Sequence, residues 1–597
     1  MESLDCVVIG AGVSGLAAAK QYLCSKPDHS LLIFESQSSI GGSWASERLY
    51  PGLKTNSFFE TYQYPDFPME SGKFGAEIDK PVPGEAVHEY LKSYSDHFQL
   101  RSLICLRTKV ISARHQDEDG GWILKVQRDE KQTTLLTRRL IVATGLTSEP
   151  RLPTFVGQEA FGSRVFHGRD FRQNRDTIGT SQSATVYGST KYAWDAAYAY
   201  ATAGAEVHWI IRSSGYGPCW MSPPYVPLGL KLEDLTNVRV LTWFSPCIWG
   251  AEDGHPWARW FLHGTFVGRL IVNLFWRILS AVILGLCDFN SHPETKKLKP
   301  NLEAFYAGTS FSIINYDTNF IDLVKSGQIR IHIGEIDHLS PNTVHLSDGT
   351  SFQTQSMLVH TGWEKAPPMK FLPEGIEVEL GLPHERQPLD YNGFKTARSL
   401  LQDKADQDIL RRFPRLKNQP ESLNSYVPLS DTKGAARNGK ITEYNDLTAY
   451  MLHRFIVPPS RRFLKHRDIA FCGMAASYDV TVTAQIQSLW IAAFMAGKLD
   501  RDPVVNTLTP ELTGKMKYET VLYNRFGKWR YPVDWGNKAP SFIFDSLPYF
   551  DMLLRDLGLN HARKGGILSE LLLPYRTADY REIVPEWLAK HQRPKSD

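Results

Sequence analysis

The sequence predicts an α/β protein that contains two strand–turn–helix–strand units of the same plan, and three observations lead to this class. A glycine-rich turn at Gly10, Gly12 and Gly15 follows the first apolar strand and precedes a helix rich in alanine and leucine. Residues 183–214 repeat this order of elements. The 597 residues are too many for one hydrophobic core, so two or three domains are expected.

The first unit has the spacing of a Rossmann-type dinucleotide-binding site. Gly10 allows a tight turn, Gly12 lets the backbone approach a diphosphate, and Gly15 lets the helix pack closely on the strand. The diphosphate would accept hydrogen bonds from the N–H groups at the helix N-terminus. A second strand, LLIF, is followed by Glu35, whose carboxylate can bind a ribose hydroxyl.

Later segments return to this first domain. The segment SIGGSW, which contains Gly42 and Trp44, resembles the second contact strip of FAD-dependent oxidoreductases with two dinucleotide sites. The strand in RRLIVATG ends at Thr144 and Gly145, which in those proteins mark the exit toward a nicotinamide domain. The segment DIAFCGM, with Gly473, resembles the late strand that returns to the flavin. We therefore predict that the first domain is discontinuous in the chain.

The second unit deviates at one position of the glycine fingerprint. Gly188, Thr190 and Ala193 occupy the three positions, so a threonine replaces the middle glycine. Its Cβ would keep the backbone away from a diphosphate, although its hydroxyl could donate a hydrogen bond in compensation. The following strand ends in Arg212 rather than in an acid, which favours the 2′-phosphate of NADPH over NADH. The alternative is a βαβ unit that has lost its nucleotide.

These patterns also predict the domain organisation. The strand in SMLVHTGW would close the second domain as the ATG strand closes the first. The predicted ranges are 1–180 and 370–500 for a FAD-binding domain, 181–369 for an NADPH-binding domain with an apolar helical insertion at about 216–300, and 501–597 for a C-terminal extension. A helical period at residues 546–559 predicts that the extension is a folded cap.

The order of the motifs resembles that of the flavin-containing monooxygenase superfamily over most of residues 4–499. The frame L-x-T-N…D-F-P, which contains Thr55 and Asn56, is carried by the amine- and sulfide-oxidising members. The linker signature F-x-G-x-x-x-H is recognisable before His167, with Ser163 at its glycine position. Within the superfamily, the chain looks most similar to fungal FAD-dependent monooxygenases that tailor secondary metabolites.

The resemblance implies a set of cofactor-binding residues and one catalytic residue. FAD would contact Gly10, Gly12, Gly15, Glu35, Gly42, Trp44, Thr55, Asn56, Val110, Thr144, Gly145 and Gly473, and NADPH would contact Gly188, Thr190, Lys191, Asp195 and Arg212. Asn56 is the implied catalytic residue: it would lie over the flavin and stabilise the C4a-hydroperoxide with an amide that adds no acid–base group. The alternative role is that of a turn asparagine that satisfies its own backbone.

The implied function is FAD-dependent monooxygenation. NADPH would reduce the flavin, the reduced flavin would capture O2, and the hydroperoxide would transfer one oxygen atom to an apolar small molecule. This reaction would be a tailoring step in secondary metabolism. Two alternatives stay open: a flavin reductase or oxidase that inserts no oxygen, and a non-catalytic FAD-binding protein.

Composition narrows the range of partners. Lys+Arg 67 against Asp+Glu 64 gives a net charge of +3, and no basic run indicates a nucleic-acid partner. Seven scattered cysteines without a CxxC motif indicate neither a short-spaced zinc site nor a dithiol pair, so no metal is expected. A core strand that begins near Leu4 leaves no room for a signal peptide, and a cytoplasmic protein is expected.

The most apolar stretch of the insertion is GRLIVNLFWRILSAVILGLC, residues 268–287, whose length approaches that of a membrane span. Arg269, Asn273 and Arg277 recur every four residues and draw a polar stripe along this predicted helix. An arginine near the middle of a span costs about 2.5–3.5 kcal/mol. Three interpretations stay open: a membrane span, a helix in the membrane interface that makes peripheral contact, and a helix packed over the substrate cavity.

Overall fold

Two β-sheets of mainly parallel strands organise the chain. The computed structural model describes residues 3–385, 397–436, 447–504, 509–536 and 539–592. Helices connect the parallel strands of each sheet, because a parallel pair needs a long crossover connection. The two sheets correspond to the two units that the sequence predicts.

The first sheet has eight strands and combines parallel pairs with an antiparallel meander. Its order is Lys370–Leu372, Thr108–His115, Trp122–Arg128, Lys131–Val142, Ser3–Ile9, Leu31–Phe34 and Ile104–Cys105, with Ile469–Phe471 also paired to Lys131–Val142. The strands at 370–372 and 469–471 enter this sheet from the distant second half of the chain. The discontinuous first domain is thereby confirmed.

The second sheet has five strands, all parallel, in the order Ile329–Ile333, Glu206–Ile211, Ser183–Tyr187, Ser356–Val359 and Arg164–His167. Together the two sheets confirm the predicted α/β class with two Rossmann-type units. The strand pairing puts the passage from the first sheet to the second before the predicted domain boundary at residue 180. Residues 164–167 pair with 356–359 of the second sheet, because the chain crosses between the sheets before residue 164.

Helices surround the sheets and form most of the insertion and the C-terminal extension. Those of the sheet domains are Val13–Ser25, Gly84–His97, Asp176–Thr180, Lys191–Thr202, Phe320–Lys325, Ile376–Leu380, Ala397–Arg412, Arg461–His466 and Val480–Ala496. The insertion contains Leu232–Thr236, Arg239–Thr242, Pro256–Gly264, Phe266–Leu286 and Pro293–Lys296, and the extension contains Pro510–Arg530, Ser546–Asp556, Ile567–Leu572 and Ile583–Gln592. The helix predicted at 546–559 is confirmed by Ser546–Asp556.

Short strands outside the two main sheets complete the fold. They pair as Lys54–Phe58 with Pro81–Pro83, Met221–Ser222 with Ser312–Ile313, Tyr225–Val226 with Leu230–Lys231, Ala476–Ser477 with Ser541–Phe542, and Ile336–Ser340 with Thr343–Leu346 and Ser351–Gln353. The pair formed by 476–477 and 541–542 joins the extension to the segment that follows the first sheet. This pairing brings the extension close to the candidate site.

Helix Val480–Ala496 forms the centre of the core. Its residues 481–495 are all buried, and it packs against helix Val13–Ser25 on one side and helix Ser546–Asp556 of the extension on another. A helix that is buried all round needs cover on every side. The extension supplies part of that cover, so it is an integral layer of the molecule.

Candidate active site

A cavity of about 460 Å³ opens where the parallel strands of the first sheet end. Its lining includes the residues that the sequence assigns to FAD, apart from Gly15: Gly10, Gly12, Glu35, Gly42, Trp44, Thr55, Asn56, Val110, Thr144, Gly145 and Gly473. These positions are far apart in the chain, and they meet because the carboxyl ends of parallel strands share one edge of a sheet.

Two glycine turns approach each other in the wall of this cavity. A Cβ on Gly42 would lie 3.2 Å from the Cα of Gly12. A Cβ on Gly15 would lie 1.8 Å from the carbonyl oxygen of Gly10, so Gly15 serves the packing of helix on strand. Absence of side chains at Gly12 and Gly42 leaves room for a diphosphate at the N-terminus of helix Val13–Ser25.

Glu35 is held rigidly at the end of its strand. Its Oε2 accepts a hydrogen bond from the N–H of Ala11 at 2.8 Å, and its Oε1 accepts one from the N–H of Gln37 at 2.9 Å. Burial raises the pKa of the Glu35 carboxyl, and these backbone N–H groups oppose that rise. The carboxyl therefore links the glycine turn to the second strand and presents its edge to the cavity, where a ribose would lie.

Thr144 provides an independent test of whether the cavity fits FAD. Its Oγ1 is buried and has no hydrogen-bond partner among the residues that the structure describes. The next residue, Gly145, has a φ of 70°, a left-handed conformation that favours glycine. A buried hydroxyl without a partner is costly unless a ligand supplies one. The orphaned hydroxyl, the glycine turns and Glu35 together fit a dinucleotide.

Three other predicted FAD residues reach the cavity from separate elements. Trp44 donates a hydrogen bond from Nε1 to the hydroxyl of Tyr62 at 2.5 Å, which orients both rings. Val110 lies on strand Thr108–His115. Gly473 has a φ of 76°, and a Cβ there would lie 2.3 Å from Oγ of Ser14, so only glycine fits. A different local feature brings each of these three residues to the cavity: a ring hydrogen bond, a strand position and a glycine turn.

Thr55 and Asn56 lie on strand Lys54–Phe58 and have different surroundings. The hydroxyl of Thr55 donates to the carbonyl of Ser57 at 2.5 Å and accepts from the N–H of Val82 at 2.8 Å, so it fixes the strand. The side chain of Asn56 makes no hydrogen bond within the described part of the chain and lines two neighbouring cavities. The alternative of a turn asparagine that satisfies its own backbone is therefore not what the structure contains.

The second cavity begins at Asn56 and is narrow and mainly apolar. Its lining consists of Asn56, Ser57, Leu232, Glu233, Thr236, Trp276, Leu279, Ile283, Ala304, Ala307, Phe311, Ile313, Tyr478, Ile543 and Phe544. Its walls come from the first domain, the insertion, the segment 304–313 that follows the insertion, and the extension. The contribution of Ile543 and Phe544 could not be predicted from the sequence, because apolar residues in a distant segment carry no signal of what they face.

The linker histidine, His167, has a structural environment. Its Nε2 lies 3.0 Å from the carbonyl oxygen of Gly362, and its Nδ1 accepts a hydrogen bond from the N–H of Arg169 at 3.1 Å. Burial lowers the pKa of His167 to about 4, so the imidazole is neutral at pH 7. Both ring nitrogens are thus engaged with backbone groups.

The second fingerprint retains the geometry of a dinucleotide turn. Gly188 has a φ of 147°, and a Cβ there would lie 2.7 Å from the carbonyl oxygen of His360. Thr190 occupies the N-cap of helix Lys191–Thr202, and its buried Oγ1 lacks a hydrogen-bond partner among the described residues. An orphaned hydroxyl at a helix N-terminus fits a phosphate oxygen. The role of both residues in binding NADPH stays a prediction.

Lys191 and Asp195 lie in a network that joins the two domains. The Lys191 ammonium forms an ion pair with Asp195 and donates to Oδ1 of Asn315 at 2.8 Å. The hydroxyl of Tyr50 donates to Asp195 at 2.8 Å. Asn315 in turn donates to the carbonyl oxygen of Thr55 at 3.0 Å. These contacts connect the second fingerprint to the Asn56 strand, while a contact with NADPH stays a prediction.

Arg212 follows strand Glu206–Ile211, as the sequence predicts. Its guanidinium lies 3.9 Å from Glu335 and donates hydrogen bonds to the carbonyl oxygens of Ser214 and Val427. These partners hold the charge near the strand end where the ribose of a dinucleotide would lie. Its preference for a 2′-phosphate stays a prediction.

Helix Phe266–Leu286 has two different faces. Trp276 and Ile283 are buried and line the second cavity. On the outer face Phe266, Leu270 and Leu274 are exposed, at 68%, 52% and 59% of their surface. Within the described residues this is the one helix that is long and apolar enough to cross a membrane. A separate finding is that the described part of the chain contains no cluster of side chains that could hold a metal ion. The helix covers the cavity and leaves an apolar face open.

The fold and the site define a class. Two Rossmann-type sheets, a glycine cradle with an orphaned hydroxyl, and an apolar cavity beside an unpaired amide are the features of an FAD-binding oxidoreductase with two dinucleotide sites. The comparisons with known proteins place the chain within this class.

The Flavin-binding monooxygenase-like family model matches residues 4–215. The FAD-dependent monooxygenase rstn6 of Aspergillus nomiae is 31% identical, over 98% of this chain and 98% of its own length. A closed crystal structure of cyclohexanone monooxygenase shares the fold, with a TM-score of 0.57 at 15% identity over 99% of this chain and 98% of that one. An oxidised steroid monooxygenase bound to NADP has a TM-score of 0.54 at 14% identity, over 94% of this chain and 99% of that one. The chain belongs to the family of FAD-dependent monooxygenases.

Proposed function

We propose that this monooxygenase uses NADPH and O2 to insert one oxygen atom into an apolar small molecule, as a tailoring step in secondary metabolism. The observation that carries the proposal is the position of Asn56, whose unpaired amide lies where the FAD cavity meets the apolar cavity. A substrate in the apolar cavity would have its reacting atom next to this amide. Relatives of similar length with the same family name support the reaction type.

FAD, when bound, would supply the redox chemistry: with two electrons from NADPH, one atom of O2 enters the substrate and the other leaves as water. The residues of the chain bind, orient and exclude water. Asn56 would donate a hydrogen bond to the reacting oxygen without adding a proton donor that hastens loss of hydrogen peroxide. The apolar walls formed by Trp276 and Phe544 would keep water out of the reaction space.

NADPH would bind at the second fingerprint. The orphaned hydroxyl of Thr190 would donate to a phosphate oxygen in place of the missing glycine contact, and Arg212 would pair with the 2′-phosphate. The steroid monooxygenase that shares this fold was solved with NADP bound, which supports NADPH as the nucleotide. Glu335 near Arg212 keeps the guanidinium in position before the cofactor arrives.

Replacing Arg212 with alanine is expected to lower kcat/KM for NADPH by about 10- to 100-fold, since a charged hydrogen bond contributes about 1.5–3 kcal/mol. The value for NADH should change little. Anaerobic stopped-flow reduction of the bound flavin by each nucleotide measures both. Arg330, exposed on the neighbouring strand and paired with Glu206, provides a matched control, and its alanine variant should behave as wild type.

The same measurement separates the competing functions. A yellow protein that NADPH fails to bleach in the absence of O2 would be a non-catalytic flavin protein. Bleaching followed by complete recovery of the oxygen as hydrogen peroxide, whatever substrate extract is present, would indicate an oxidase. If the Arg212 variant loses as much activity with NADH as with NADPH, the contact between Arg212 and the 2′-phosphate is rejected. The proposed monooxygenase function is not affected by that result.

We also propose that the protein is cytoplasmic and touches a membrane surface through the outer face of helix Phe266–Leu286. The exposed apolar side chains on this face continue onto the preceding helix with Trp257 and Trp260, at 67% and 69% exposure. Aromatic and aliphatic residues on one face, with Arg269 and Arg277 along the helix, suit the interface of an anionic bilayer. An apolar substrate dissolved in lipid would then be close to the cavity beneath the helix.

The double replacement of Leu270 and Leu274 by glutamate is expected to reduce binding to vesicles that contain phosphatidylserine by at least about tenfold, because each leucine loses about 1.5–3 kcal/mol of apolar burial. Co-sedimentation measures the bound fraction. Leu568→Glu is the control, because Leu568 is 74% exposed but lies in the extension, and this variant should bind vesicles as wild type does. Failure of the wild-type protein to bind these vesicles would contradict the membrane contact.

A further inference from the structure

Glu233 is a carboxyl group in the wall of the apolar cavity. It belongs to the short helix Leu232–Thr236 of the insertion and lines the cavity together with Asn56. Its Oε2 accepts hydrogen bonds from the N–H of Phe58 at 2.9 Å and from the hydroxyl of Thr61 at 3.0 Å. Within the described residues its Oε1 has no hydrogen-bond partner, so this atom is left to face the cavity.

No cation neutralises this carboxyl group within the part of the chain that the structure describes. The charged groups with the largest effect on it are Asp234 and Asp479, both of which oppose its ionisation. Asp234 is paired with Arg576 at 2.8 Å, and Asp479 accepts from Asn237 at 2.9 Å. Neither of these partners reaches Glu233.

The nearest lysine in the sequence, Lys231, is engaged elsewhere. It forms ion pairs with Glu60, at 3.0 Å, and with Asp79. Burial in the apolar wall raises the pKa of Glu233 to about 8, although the bonds from Phe58 and Thr61 oppose the rise. At pH 7 the group is therefore mainly a neutral carboxylic acid.

The hydrogen bonds define which oxygen carries the proton. Oε2 accepts two hydrogen bonds from the protein and has the role of a carbonyl oxygen, so the proton resides on Oε1. An acid O–H in an apolar cavity needs an acceptor, and an unmet donor there is costly. A substrate that supplies an acceptor oxygen removes this cost.

We propose that Glu233 is a specificity-determining residue that donates a hydrogen bond to a carbonyl oxygen of an otherwise apolar substrate. This inference rests on the proposed function, in that the cavity beside Asn56 must receive the substrate. The hydrogen bond would anchor one end of the molecule and set which of its atoms lies next to Asn56. Glu233 would therefore decide both which substrate binds and where it is oxidised.

An amine substrate would need the opposite protonation state of Glu233. An ammonium group would require the ionised carboxylate, which is disfavoured here by the apolar wall and by Asp234 and Asp479. The two substrate classes predict opposite pH dependence. A carbonyl compound binds the acid form and loses affinity as pH rises through the pKa of Glu233, whereas an amine gains affinity until its own proton is lost.

Three probes of similar size and shape test the inference on the FAD-loaded enzyme. They are acetophenone, which has a carbonyl oxygen, ethylbenzene, which has no polar group, and 1-phenylethylamine, which is cationic at pH 7. Binding is followed by isothermal titration and by the change in the flavin absorption spectrum. Wild type should bind acetophenone about tenfold more tightly than ethylbenzene, the effect of one buried hydrogen bond.

Two substitutions at the same position separate hydrogen bonding from packing. Glu233→Gln retains a donor and should keep most of the preference for acetophenone, without the loss of affinity above pH 8. Glu233→Leu removes the donor and should bring the preference to unity. Asp288→Asn, at an exposed carboxyl of the insertion that pairs with Lys325, is the control and should keep the preference at pH 7.

A spectroscopic measurement tests the protonation state without any ligand. Wild type at pH 7 should have an infrared carbonyl band of a protonated carboxyl group that disappears at high pH and is missing in Glu233→Gln. Absence of that band, equal or undetectable binding of acetophenone and ethylbenzene, or tightest binding of the amine would each overturn the inference. Reduction of the flavin by NADPH is recorded on the same samples, so normal reduction with no carbonyl preference rejects this inference and leaves the proposed function standing.

Discussion

Replacing Asn56 with alanine is expected to lower the yield of oxygenated product per NADPH by about 100-fold, since loss of one pre-placed donor costs about 10²–10³ in rate. NADPH consumption should continue, and the missing oxygen should appear as hydrogen peroxide. The side chain faces two cavities and makes no hydrogen bond within the described residues, so its removal should leave the fold intact. Parallel assays of NADPH, hydrogen peroxide and product in a substrate-containing extract measure how much of the consumed NADPH yields product and how much yields hydrogen peroxide.

The variant Asn56→Asp serves as the matched comparison for this prediction. It has nearly the same shape as asparagine but replaces the amide by an acid–base group, so it should release as much hydrogen peroxide as the alanine variant. An oxidase without oxygen insertion would give the same peroxide yield from wild type and from both variants. That outcome would remove Asn56 from the catalytic site.

Replacing Gly12 with alanine is expected to yield a folded protein that purifies largely without FAD. The backbone of Gly12, with φ −82° and ψ −173°, is open to any residue, and the added Cβ would lie 3.5 Å from Gly42, an ordinary contact. The methyl group would occupy the space through which a diphosphate approaches the backbone. Loss of even one or two backbone hydrogen bonds to a charged group lowers affinity by about 10- to 100-fold.

Gly15→Ala provides the contrasting variant. Its Cβ would lie 1.8 Å from the Gly10 carbonyl oxygen, so the helix must move away from the strand, and overpacking of this kind costs about 1–3 kcal/mol or more. The apoprotein of this variant should unfold at a lower temperature than that of Gly12→Ala. Flavin content and thermal unfolding of the two apoproteins distinguish them. Full flavin occupancy in Gly12→Ala would contradict the placement of the diphosphate.

The nucleotide fingerprints could be predicted from the sequence because their information is local. Gly10, Gly12 and Gly15 are required by the turn and by the packing of adjacent elements, so spacing alone identifies them. Gly473 was identified by resemblance, and its positive φ beside Ser14 supplies the physical reason. Motif order likewise predicted both sheets and the return of the chain to the first one.

Contacts between distant segments could not be predicted. Thr55 lines the cofactor cavity, but its hydroxyl is bound to the backbone of Ser57 on its own strand and of Val82 on the paired strand, which no local pattern indicates. Lys191 and Asp195 form a bridge between domains that no local pattern encodes. Glu233 resembles any acidic residue at the start of a helix until Phe58 and Thr61 are placed beside it.

The insertion helix illustrates the same limit. Its period separated a polar stripe from an apolar remainder, but it could not tell which apolar residues face protein. In the structure Trp276 and Ile283 line the cavity while Leu270 and Leu274 stay exposed. The interpretation of a helix packed over the cavity thus describes its inner face, and the membrane contact of its outer face stays a proposal.

Incorporation of labelled oxygen tests the central claim most directly. Extracts of cells with and without this protein are supplied with NADPH and ¹⁸O₂, and their metabolites are compared by mass spectrometry. We predict that one metabolite gains a single ¹⁸O atom only when the wild-type protein is present, and that the labelled amount falls about 100-fold with Asn56→Ala. Consumption of NADPH with all of the label in hydrogen peroxide and water, and none in any metabolite, would contradict the account.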